Sequence, residues 1–89
     1  MQLELATGET GSSAGLAVKF VGGGHLTLPD GRHVQTVELR FTRDGREETV
    51  HVFEESFARP QATLGAVWKV VRTDGGPSPT AVVLDLEPS

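Results

Sequence analysis

Val37-Glu38-Leu39-Arg40-Phe41-Thr42-Arg43-Asp44-Gly45-Arg46-Glu47-Glu48-Thr49-Val50-His51-Val52-Phe53 is the stretch on which the fold turns, with two alternating runs meeting at Asp44-Gly45. Asp-Gly between such runs is the strongest short-range signal of a two-residue type I′ hairpin turn, whose two central residues both need positive φ. With Asp44 and Gly45 as the loop, Arg43 faces Arg46, Thr42 faces Glu47, Leu39 faces Val50 and Val37 faces Val52. Apolar meets apolar. On the other face Arg40 falls opposite Thr49, Glu38 opposite His51 and Thr36 opposite Phe53. A slip of one residue would set Val37 and Leu39 against polar side chains, so burial of one face pins the register.

Outward from this hairpin, Gly and Pro recur between segments rich in Val, Leu, Phe and Thr. That punctuation is typical of a sandwich or barrel. Upstream, Pro29-Asp30-Gly31-Arg32 reads as a second turn, joining a short strand at residues 25–28 to one beginning near His33. Leu3 and Leu5 mark one further strand, and Leu16, Val18 and Phe20 alternate inward in another. Residues 7–15, rich in Gly, Ser and Thr, read as an exposed loop. Gly22-Gly23-Gly24 lacks the Gly-Lys-Ser/Thr ending and the following helix of a phosphate-binding loop, and reads as a turn or bulge permitting close backbone approach.

Downstream, residues 56–71 contain Pro60 and Gly65 and end in a Val-rich run, which favours strand or irregular structure over helix. The alternation breaks at Glu54-Glu55-Ser56, a bulge or strand exit. Residues 66–73 and 80–87 flank a proline-bound loop at 74–79, with Val82, Leu84 and Leu86 pointing inward and Trp68 read as core. The expected fold is all-β: a small antiparallel β-sandwich or partly open barrel of about seven strands, with residues 1–89 forming one domain.

A chain of 89 residues has room for one core. Stability on the order of 5–8 kcal/mol is expected for it without disulfides or metals. The absence of cysteine removes disulfides, thiolate nucleophiles and Cys-ligated clusters. A net charge of −4 with interleaved signs offers no basic stripe for a phosphate backbone, so no nucleic acid is expected as partner. The N-terminal stretch has no basic segment followed by an apolar run, and no stretch is apolar enough to span a membrane. The expected setting is cytoplasmic with no membrane partner, a mature secreted form with its leader removed being the alternative. Ile, Asn and Tyr are missing and Arg outnumbers Lys, as in a genome that avoids AT-rich codons.

Three histidines, His25, His33 and His51, are the candidate acid–base or ligating groups. The two hairpins put His25 and His33 four or five residues apart in pairing, with His51 on the outer face beside Glu38, so no metal site is expected. Ser12, Ser13, Ser56, Ser78 and Ser89 lie in no nucleophile elbow and have no evident histidine partner. Glu47-Glu48 and Glu54-Glu55 are neighbours on a strand and point to opposite faces, so neither pair can flank a substrate. A non-enzymatic role without cofactors is therefore expected: a protein-binding or interaction module, such as an inhibitor or accessory protein acting through loops or an edge strand. Its partner would be another protein, met by Glu38, Arg40, His51 and Phe53 on the outer sheet face. Two alternatives are a small-ligand or metal-binding barrel using His25 and His33, and a structural subunit assembling through strand edges.

Overall fold

Eight strands run through the described residues, 1–13 and 15–87, of the computed structural model. They are β1 (Gln2–Ala6), β2 (Thr10–Ser13), β3 (Leu16–Thr27) and β4 (His33–Arg43), followed by β5 (Arg46–Phe53), β6 (Gln61–Thr63), β7 (Ala66–Asp74) and β8 (Ala81–Glu87). They form two four-stranded antiparallel sheets, ordered β1-β8-β7-β6 and β2-β3-β4-β5, packed as a small β-sandwich. Ala14, Pro88 and Ser89 lie outside the described residues, and with them the Ser89 hydroxyl and one position of the expected 7–15 loop.

The β4–β5 hairpin has the register expected of it at every pair from Thr36↔Phe53 to Arg43↔Arg46, around a turn in which Asp44 and Gly45 take φ of 51° and 76°. Leu16, Val18, Phe20, Val37, Leu39 and Phe41 of this sheet are buried against Trp68, Val70, Val82, Leu84 and Leu86 of the other. Phe41 and Trp68 meet across the interface with ring centroids 5.2 Å apart, and the Trp68 Nε1–H donates to Thr63 Oγ1 at 3.0 Å. A buried indole needs such an acceptor.

Three elements depart from the sequence-based expectation. Residues 25–28 are not a separate strand. Residues 25–27 continue β3, with Leu28 beyond its end, because the chain passes through Gly22–Gly24 with only a register shift between Phe20 and Gly22. This glycine run does permit close approach: a Cβ on Gly23 would lie 2.2 Å from the carbonyl oxygen of buried Pro79. The expected 7–15 loop contains β2, which pairs with β3 from Thr10↔Lys19 to Ser13↔Leu16. Its sequence shows no apolar alternation because Gly11 sits against the Leu3 and Leu5 side chains, which already fill the inward position. Finally, β6 and β7 form a tight hairpin, Thr63↔Ala66, whose turn residues Leu64 and Gly65 have φ of 48° and 82°.

The chain passes from one sheet to the other between β1 and β2 and again between β5 and β6. Between β1 and β2 the chain turns over Thr7-Gly8, and Gly8 N–H donates to the Phe20 carbonyl while Phe20 N–H donates to the Glu9 carbonyl. At the opposite side the last strands are β5 of one sheet and β6 of the other.

Candidate functional site

Along β4, odd-numbered Val37, Leu39 and Phe41 are buried, so even-numbered Val34, Thr36, Glu38 and Arg40 face outward. Pairing carries that face onto neighbouring strands: Leu26↔Val34, Gly24↔Thr36 and Gly22↔Glu38 on β3, and Thr36↔Phe53, Glu38↔His51 and Arg40↔Thr49 on β5. All four residues singled out from the sequence, Glu38, Arg40, His51 and Phe53, therefore share the outer face of this sheet.

The face divides into a polar middle and an apolar end. In the middle, His51 Nε2–H donates to Glu38 Oε1 at 3.1 Å, beside a shallow groove of about 380 Å³ whose floor is Gly22 and Gly24. Arg40 Nε lies 3.6 Å from Glu47 Oε1, an ion pair without a hydrogen bond. At the end, Phe53 is 41% exposed and Leu26 is 47% exposed, and with Leu28, Val34 and Glu55 they line a second groove of about 250 Å³. Sequence reasoning placed Phe53 but missed Leu26, Leu28 and Val34. Extending the β4 register through the Asp30-Gly31 turn carries the signal, because Val34 shares the parity of Thr36 and Glu38.

Beside this face runs an open strand edge. Among the described residues β5 pairs only with β4. Arg43 and Arg46 flank a two-residue turn and form a hydrogen-bonded pair, so alternation directs the backbone N–H and C=O of Glu47, Thr49 and His51 away from β4. None of these groups bonds to another backbone group among the described residues.

The opposite face of the β3–β4 ribbon carries the other two histidines, and two expectations about them are overturned. His25 and His33 are not four or five residues apart in pairing. Their partners are Gln35 and Thr27, which puts them on a diagonal, with ring centroids 5.3 Å apart and planes at 83°. Nor do they lack hydroxyl partners: His25 Nδ1 is 2.8 Å from Ser78 Oγ, and His33 Nδ1 is 3.0 Å from Thr27 Oγ1. The Ser78–His25 distance is within nucleophile–base reach, but among the described residues no carboxylate is bonded to His25 to orient it. Gln35 tethers the same end, donating through Nε2 to the Gly76 carbonyl at 2.7 Å and accepting from Thr73 Oγ1 at 2.6 Å. At the ribbon tip the Arg32 backbone N–H and then its Nε–H bond the Asp30 carboxylate, holding that group below the usual carboxylate range.

Among the described residues no three His, Asp or Glu side chains converge as a metal cluster, and no helix is long and apolar enough to cross a membrane. Compared with protein-family models, curated proteins and solved structures, the chain finds no match. A functional reading therefore rests on this geometry.

Proposed function

We propose that this protein is a non-catalytic protein-binding module that takes an extended segment of its partner as an added strand along β5. The single observation that carries the reading is the adjacency of the open β5 edge to the exposed apolar patch of Leu26 and Phe53. Strand addition draws affinity from main-chain hydrogen bonds and specificity from alternate side chains that reach the neighbouring face. Here that face asks for an apolar residue near Phe53 and a polar or charged one near His51, Glu38 and Arg40. The expected 7–15 loop contributes less than anticipated, since residues 10–13 are held in β2.

Affinity capture from the source cells, run in parallel with wild type, Phe53→Asp and Thr49→Pro, tests this. Proline removes an N–H that points away from β4, a position edge strands accommodate. A partner retained by wild type and lost at least tenfold from both variants supports the reading. A partner held equally by all three, or none above background, overturns it.

One observation favours a second reading, assembly of copies through their own edges. Two β5 strands paired antiparallel about Thr49 would set each Glu47 opposite the partner copy's His51, with hydrogen-bonding groups of residues 47, 49 and 51 in register. The neighbouring charges of Arg46 and Glu48 oppose such pairing. Light scattering at high concentration separates the two: a strict monomer removes self-assembly and leaves the partner reading standing.

A further inference from the structure

The two histidines of the β3–β4 ribbon share a feature that neither the open edge nor the apolar patch requires. Each ring has its Nδ1 against a hydroxyl, Ser78 Oγ for His25 and Thr27 Oγ1 for His33. When a neutral imidazole donates its Nδ1–H to a hydroxyl oxygen, the lone pair is left on Nε2. That is the tautomer in which histidine ligates a metal through Nε2, and an outer partner on the second nitrogen is the usual way of orienting it.

We propose that His25 and His33 form a two-imidazole chelate for a divalent transition-metal ion, each ligating through Nε2, with Ser78 and Thr27 as positioning residues. Their spacing supports it. With Nε2–metal bonds of about 2.1 Å and a tetrahedral angle, the two ring centroids stand roughly 5.2 Å apart. The observed separation is 5.3 Å. Two strands of one sheet supply the rings at Thr27↔His33 and His25↔Gln35, so the spacing is set by backbone pairing rather than by a loop. Ser78 adds a tie from the segment between β7 and β8, which Gly76 and Pro79 also anchor to this ribbon through Gln35 and Gly23.

The ligand class follows from the donors. Two imidazoles suit Cu²⁺, Ni²⁺ and Zn²⁺ over Mg²⁺ or Ca²⁺, with Cu²⁺ held most tightly. No third His, Asp or Glu joins them among the described residues, so the remaining coordination positions fall to water or to a small donor ligand. The site faces away from Leu26 and Val34, so it stands or falls separately from strand addition at β5.

An untagged full chain titrated with Zn²⁺, with the ring protons of all three histidines followed by NMR, tests the chelate. The expected result is that His25 and His33 signals move together and saturate at one equivalent while those of His51 stay in place. Calorimetry with Cu²⁺, Ni²⁺ and Zn²⁺ is expected to give the tightest binding for Cu²⁺, with at least a tenfold loss in His25→Ala and in His33→Ala. Ser78→Ala and Thr27→Val, which keep both ligands, are expected to weaken binding about tenfold, the scale of an outer-shell partner. The chelate is overturned if no ion produces heat or shifts, if His51 responds with the other two, or if either single alanine variant binds as wild type does.

Discussion

Trp68 and Thr63 form a polar contact sealed inside the core, the indole N–H donating to a threonine that is itself 5% exposed. Replacing Thr63 by Val keeps shape and removes the acceptor, leaving a buried donor unsatisfied at a cost of about 1–3 kcal/mol. Thr63→Ser retains the oxygen and is expected to lose less. Urea midpoints of the three proteins check this, and Thr63→Val matching wild type would show that the bond adds nothing. Gly23 makes a sharper contrast with its neighbour. A methyl group there would meet backbone of Pro79 at 2.2 Å, whereas one on Gly22 meets nothing within 4 Å. Gly23→Ala is therefore expected to destabilise by roughly 1–3 kcal/mol through forced backbone movement. Gly22→Ala should stay within about 0.5 kcal/mol of wild type in the same thermal melts.

Among the elements, the hairpins differ in how openly the sequence announces them. Asp44-Gly45 carries its turn type in its residue types, so strand length, register and outer face all follow, and Glu38, Arg40, His51 and Phe53 come out together. Leu64-Gly65 adopts the same positive-φ pair with Gly65 suited to it but with Leu64 where Asn, Asp or Gly is favoured. Leu64 packs partly buried against the core and its carbonyl accepts from Arg43 Nη1 at 2.9 Å, contacts between distant segments that no local pattern displays. β2 was hidden for a related reason, its inward position being filled by side chains of β1. The β3–β4 turn was recognised but its length was not: Leu28 N–H donating to the Arg32 carbonyl sets Thr27 opposite His33, and with it the approach of the histidines. In that turn Asp30 offers a pH test. Its carboxyl titrates lower when folded than unfolded, because Arg32 donates to the ionised form. Its contribution is therefore present above the ordinary carboxylate range and disappears as pH falls through the lowered folded value. NMR titration is expected to place the Asp30 midpoint below that of a free aspartate and to return it toward the ordinary range in Arg32→Ala. An unchanged midpoint in that variant would deny Arg32 the role.

At the scale of the whole molecule, extents of 42 × 22 × 20 Å divide the labour. The two sheets enclose one shared core, and the β3–β4 ribbon presents Leu26 and Val34 on one face and His25 and His33 on the other. Because the sheets share a core and are joined through the β1–β2 corner, neither has a second apolar layer to fall back on if the other leaves. Phe41 sits where this matters, fully buried in one sheet and against Trp68 of the other. Truncating a buried Phe to Ala costs about 3–5 kcal/mol. Set against a total on the order of 5–8 kcal/mol, Phe41→Ala should remove half or more of the stability. Phe41→Leu keeps most of the volume and is expected to cost nearer 1–1.5 kcal/mol. Trp68 fluorescence reports the contact between sheets and far-UV circular dichroism reports the strands themselves. In a urea titration the two signals are expected to coincide for wild type and both variants, with the Phe41→Ala midpoint shifted furthest. Fluorescence that changes ahead of the strand signal would mean that the sheets part before they unfold, and the single cooperative core would be refuted.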